Sequence, residues 1–158
     1  MATSNMELTI ATTPRSLGRQ LIFATSAAKA VCNQLLEPHG LTLAQWAILS
    51  SIWRNGEMSV KDLAEMTGNA PPAASRIVDR MVLAGLLVRM PDVRDRRAVV
   101  VGTTAKGEGM RATQTIYETV NRILLSDLSS EEQDCLFDLL RRVEMSGRGW
   151  LAGSKEAR

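Results

Sequence analysis

The sequence predicts a mainly α fold with a small β wing, and three observations carry that reading. Two short helical patterns, Ser59 to Met66 and Pro71 to Val82, meet at the break Thr67-Gly68. A hairpin follows, Leu86 to Met90 and Ala98 to Val101, with Pro91-Asp92-Val93-Arg94-Asp95-Arg96-Arg97 as its charged turn. Long amphipathic patterns stand at both ends of the chain and carry more apolar surface than one small domain can cover. Two helices, a tight turn and an arginine-tipped hairpin make a winged helix-turn-helix, here joined to a helical dimerisation region.

Residues 1–13 are Thr-rich, lack the basic start and apolar core of a signal peptide, and read as a flexible N-terminal arm. Pro14-Arg15-Ser16 precedes the first long helix, where Leu17, Leu21, Ala24, Ala28, Val31 and Leu35 recur at three or four residues. It ends near Glu37-Pro38, because the residue before proline is pushed out of the α region. Thr42 caps the next helix, Leu43 to Arg54, whose Trp46, Ile48, Leu49, Ile52 and Trp53 place it centrally. Met58 begins a short strand that can join the hairpin as a third member.

Ser59 with Asp62 is an S-x-x-[DE] start signal, and Gly68 can take the positive φ of a helix end. Asn69 or Ala70 caps the second helix of the pair, and Pro71 and Pro72 sit in its first turn without losing a hydrogen bond. Ile77, Val78, Met81 and Val82 form its inner face, and Gly85 ends it. After the hairpin, one helix is expected from about Thr104 to Leu125. A second, capped by Ser129 with Glu131 and Glu132 in its first turn, is expected to end at Gly147 and Gly149. The expected organisation is residues 14–40 and 104–149 for dimerisation, 41–103 for the winged unit, and 150–158 as a frayed C-terminus.

An ordered set of short motifs makes the pattern more specific. These are Gly40-Leu41-Thr42 with Gln45 and Leu49, then Leu63-Ala64, Arg76-Ile77-Val78-Asp79-Arg80-Met81, Gly85 to Arg89, Asp92 to Arg97, and Thr103-Thr104-Ala105-Lys106-Gly107. Through them the chain resembles the MarR family of bacterial transcription regulators, from about Leu17 to Val143. The resemblance implies a dimeric repressor that binds double-stranded DNA at a pseudo-palindromic operator and is released by a small aromatic or amphipathic ligand. It implies DNA-binding roles for Ser59, Ala73, Ser75, Arg76 and Arg80, and for the wing residues Arg94, Asp95, Arg96 and Arg97. One of these arginines is expected to enter the minor groove while an aspartate orients it; pairing of Arg97 with Asp92 or Asp95 merely to hold the hairpin is the plainer alternative. The chain departs from the family where its second helix opens Ala70-Pro71-Pro72-Ala73-Ala74, which leaves few hydrogen-bonding side chains to enter a groove.

The same resemblance implies a ligand cleft near Trp46 and Trp53, with His39, Arg15 and Arg19 as polar candidates; for the tryptophans taken singly, ordinary core packing is the plainer reading. A regulator with no small-molecule input, or one sensing oxidants through Cys32, are the alternatives. Net charge is only +2, but Arg89 to Arg97 sets four arginines against two aspartates, a local excess suited to phosphates. One His and two separated Cys offer no metal set, and no Gly-rich phosphate loop or nucleophile pair suggests an enzyme or a cofactor. No apolar run approaches the ~20 residues that span a bilayer, and a cytoplasmic location is expected.

Overall fold

The computed structural model describes residues 15–93, 95 and 97–156, so the expected arm, residues 1–13, lies outside the described residues. The chain divides into two compact units, residues 1–117 and 118–158.

The first unit opens with α1 (Leu17–Leu36), whose Ser16 cap accepts the Arg19 N–H. Only Leu36 of this helix is buried, while Leu17, Ile22 and Phe23 are exposed. A 3₁₀ turn (Glu37–His39) leads to α2 (Leu43–Asn55), which begins in a capping box: Thr42 and Gln45 satisfy each other's backbone N–H groups. α2 is the hub of the core. Its Ile48, Leu49, Ile52 and Trp53 pack with Leu63 of α3 (Val60–Thr67) and with Val78 and Met81 of α4 (Pro71–Leu83).

The α3–α4 turn is tight because Gly68 takes φ 65° and donates its N–H to the end of α3. A side chain there would be strained by its own Cβ. α4 starts at Ala70, which supplies no side-chain cap, with the two prolines in the first turn. β1 (Leu87–Pro91) and β2 (Val99–Thr103) form the antiparallel wing, in register Leu87↔Thr103 through Pro91↔Val99. Met58 joins as a single bridge rather than a strand, exchanging both backbone bonds with Val101 at 3.1 and 2.8 Å.

The helix expected from Thr104 to Leu125 is broken into three pieces: α5 (Ala105–Gly109), a 3₁₀ turn (Arg111–Thr115) and α6 (Ile116–Leu124). Two glycines weaken the first piece, and the Thr113 hydroxyl turns back onto the Met110 carbonyl at 2.8 Å. The Trp46 indole N–H then takes the Thr113 carbonyl at 2.9 Å, occupying an acceptor that a continuous helix would use. Gly107 has no room for a Cβ, which would collide with the Leu86 carbonyl oxygen.

In the second unit, α7 (Ser130–Glu156) begins in a reciprocal cap: Ser129 accepts the Glu132 N–H at 3.3 Å, and Glu132 accepts the Ser129 N–H at 2.8 Å. The expectation that Gly147 and Gly149 end this helix and that the chain frays from residue 150 is corrected as far as Glu156, to which the helix continues; residues 157 and 158 lie outside the described residues. Glycine lowers helix propensity by only about 1 kcal/mol each. The i,i+4 pair Glu144–Arg148 at 2.8 Å runs in the favourable direction across Gly147.

Candidate nucleic-acid interface

α4 presents two faces. Ala74, Ile77, Val78 and Met81 are buried, which turns Ala73, Arg76, Asp79 and Arg80 outward and leaves Ser75 half-buried at the margin. Arg76 and Arg80 are one turn apart and exposed, so two cations stand on the open side of the helix. The carboxylate between them does not cancel either: Asp79 accepts from the Arg89 guanidinium of β1 at 2.7 Å. That pair ties α4 to the wing. The two residues are ten positions apart in the chain.

The far end of α4 is clasped by the segment after the wing. Thr104 Oγ1 donates to the Gly85 carbonyl at 2.6 Å, and Lys106 Nζ donates to the Ala84 carbonyl at 2.8 Å. Backbone bonds extend the clasp, from Thr104 to the Leu86 carbonyl and from Leu86 to that of Met81. A cation on the last carbonyls also suits the negative end of the helix. Sequence reasoning missed Lys106, because nothing local marks a partner twenty-two residues away.

The wing tip is drawn closed by its own backbone: Asp92 N–H donates to Ala98 O at 2.9 Å and Ala98 N–H to Asp95 O at 2.8 Å. The Asp95 carboxylate accepts the Arg97 backbone N–H at 3.0 Å. Asp95 therefore shapes the loop, and the Arg97 side chain is exposed. Arg94 and Arg96 lie outside the described residues. Ser59 is half-buried and its hydroxyl is already engaged, accepting the Asp62 N–H at 3.1 Å and donating to that carboxylate at 2.7 Å.

The expected ligand residues stand in different surroundings. Trp53 is buried in the core and its indole N–H has no acceptor, nor has the hydroxyl of Ser50 one turn earlier. Trp46 is half-buried and spends its N–H on Thr113. His39 is exposed in the 3₁₀ turn, and Arg19 lies over the Phe23 ring at 5.5 Å. Among the described residues, no hydrogen bond, ion pair or ring contact joins Arg15, Arg19 or His39 to either tryptophan. Burial pushes the half-buried Cys32 thiol above its ordinary value, which keeps it protonated and slow to react. No cluster of metal-ligating side chains occurs, and no helix is long and apolar enough to cross a membrane, among the described residues.

A family model described as MarR family matches residues 41–99, which takes in α2, α3, α4 and β1 and ends at the first residue of β2. The chain is 27% identical over 129 residues to the multiple antibiotic resistance protein MarR of Escherichia coli strain K12, covering 80% of this chain and 90% of that protein. It is 28% identical over 126 residues to the homoprotocatechuate degradative operon repressor of Escherichia coli, covering 79% and 85%. Among solved structures, a mutant MarR from Escherichia coli complexed with operator DNA matches with a TM-score of 0.74 at 26% identity, over 80% of this chain and 92% of that one.

Proposed function

We propose, given that this chain belongs to the MarR family of winged helix-turn-helix regulators, that it is a sequence-specific DNA-binding transcriptional repressor acting as a homodimer in the cytoplasm. The observation that carries the reading is the outward face of α4. Arg76 and Arg80 stand exposed there, Asp79 is held by Arg89, and the wing bearing Arg97 is tied to the same helix. In this reading α4 enters the major groove, Arg76 and Arg80 meet guanine edges or phosphates, and the wing arginines track the backbone or the minor groove. Asp95 shapes the wing rather than touching DNA. Ser59 serves first as a cap, with any phosphate contact secondary.

The dimer is proposed from surface chemistry. Leu17, Ile22 and Phe23 of α1 are exposed, as are Phe137, Leu140, Met145, Trp150 and Leu151 of α7, more apolar area than a monomer leaves in water. A two-fold dimer would present two copies of α4 to a pseudo-palindromic operator. A gel shift on the DNA upstream of the chain's own gene, read at two salt concentrations, tests the reading. The expected result is a sequence-dependent complex whose affinity falls steeply with salt; equal binding to random duplex at both salts would remove it.

A small, largely apolar and anionic ligand is proposed as the releasing signal, received beside Trp46, with His39, Arg15 and Arg19 as the candidate partners for its charge. The support is Trp46, which is only half-buried and so leaves part of its ring open to a ligand. Thermal shift against aromatic acids and phenols tests it, with calorimetry to follow. Any compound that loosens operator must bind more weakly when operator is present, by the same factor. Oxidant sensing through Cys32 is disfavoured by the raised thiol.

A further inference from the structure

We propose that the first turn of α4 reads thymine through its C5-methyl group, with Pro72 and Ala73 as the reading residues. The inference rests on the DNA-binding reading above and deepens it to the class of base recognised. In a helix-turn-helix the N-terminal residues of the second helix reach the base edges. Here those residues are Pro71, Pro72 and Ala73, and all three are exposed.

This turn has almost nothing with which to donate a hydrogen bond. Proline has no N–H, and neither proline nor alanine has a polar side-chain atom. The Ala73 N–H is spent on the Ala70 carbonyl at 2.9 Å, and Ala70 offers no capping side chain. A helix start of this kind cannot grip a phosphate as others do. What it presents is hydrocarbon. In the major groove thymine alone carries a methyl group, at C5 beside its O4 acceptor, while guanine, cytosine and adenine show acceptors or donors without one. Those polar atoms would be desolvated against the Pro72 ring with no partner, a penalty that thymine's methyl avoids.

The rest of the outward stripe narrows the reading further. Positions 72, 76, 79 and 83 share one face of the helix. Asp79 is committed to Arg89 and Leu83 has no polar group, which leaves Arg76 as the central hydrogen-bonding reader, with Ser75 at the margin. Each half-site should therefore carry thymines facing the first turn and a guanine facing Arg76.

The experiment begins with duplexes selected by the full-length protein from a randomised library. Each thymine of the selected half-site is then replaced by deoxyuridine, which removes the methyl group and keeps the pairing edge. Burial of one methyl predicts about a fourfold loss of affinity at a thymine facing the first turn and little change elsewhere. In Pro72→Ser, a substitution that a helix start tolerates, the preference for thymine over deoxyuridine should disappear at that position while the selected duplex still binds. Selection of a sequence that is insensitive to deoxyuridine throughout overturns this inference alone. So does a thymine preference that survives both Pro72→Ser and Ala73→Ser. Failure to select any sequence overturns this inference together with the reading it rests on.

Discussion

Arg89 shows how one side chain can matter for affinity more than for stability. Its pair with Asp79 is partly exposed, with 35% and 56% of the two side chains accessible, so solvent screening leaves it worth well under about 1 kcal/mol to folding. Removing it would free a carboxylate between Arg76 and Arg80, on the face proposed to approach phosphates. Arg89→Ala should leave the thermal midpoint nearly unchanged and weaken operator binding about tenfold. Adding Asp79→Asn should restore most of the loss, and equal affinity for wild type and Arg89→Ala in fluorescence anisotropy would sink the idea. Arg97 is judged differently. If it contacts one phosphate, Arg97→Ala should weaken binding similarly across sequences and lower the salt slope by roughly one. Cys32 completes this scale: its alkylation, followed by mass spectrometry, should be slow at neutral pH and accelerate only above the ordinary thiol value of 9.0.

Elements were legible in the sequence where a local signal marks them. Thr42 with Gln45, Ser59 with Asp62 and Ser129 with Glu132 each sit three residues apart, and each caps the helix it was expected to cap. The hairpin was legible from β-branched residues around a charged turn. The break between α5 and α6 was not, because one of the bonds that holds it, from the Trp46 indole to the Thr113 carbonyl, comes from sixty-seven residues away. Trp46→Phe keeps the ring and deletes that donor, so it should cost about 1 kcal/mol in a denaturant titration. An unchanged midpoint would mean that the bond does not hold the break. The candidate DNA face was readable from periodicity, whereas the Arg89 and Lys106 contacts needed the third dimension. Helix ends also carry a pH dependence. Arg111, with help from the Thr103 hydroxyl, holds Glu108 below the ordinary value of 4.5. Its own backbone N–H, then the Ser129 hydroxyl, does the same for Glu131. Carboxylates depressed in the folded state stabilise it above that value, and the benefit is lost as pH falls through their folded values. Melts followed by circular dichroism should therefore decline below about pH 4.5, and Glu131→Gln should flatten part of that decline.

At the scale of the whole molecule, exposed apolar side chains on α1 and α7 are the feature that asks for a second copy. Leu140→Asp would place a charge in the proposed interface and should yield a monomer by sedimentation. Losing the second half-site removes the gain from bivalency, so operator affinity should fall about 100-fold or more. A stable dimer of that variant with intact binding would put the interface elsewhere. Wild-type footprints should show two half-sites about one helical turn, ~10 bp, apart. The clasp of Thr104 and Lys106 on the end of α4 has a kinetic meaning as well. Residues 81–86 and 104–107 are distant in the chain, yet hydrogen bonds from Thr104 and Lys106 tie the two groups together. Their amide protons should therefore exchange with solvent at one common rate, as a single cooperative unit. Lys106→Ala should speed that exchange at Leu86 as much as at Thr104, although neither amide is bonded to Lys106.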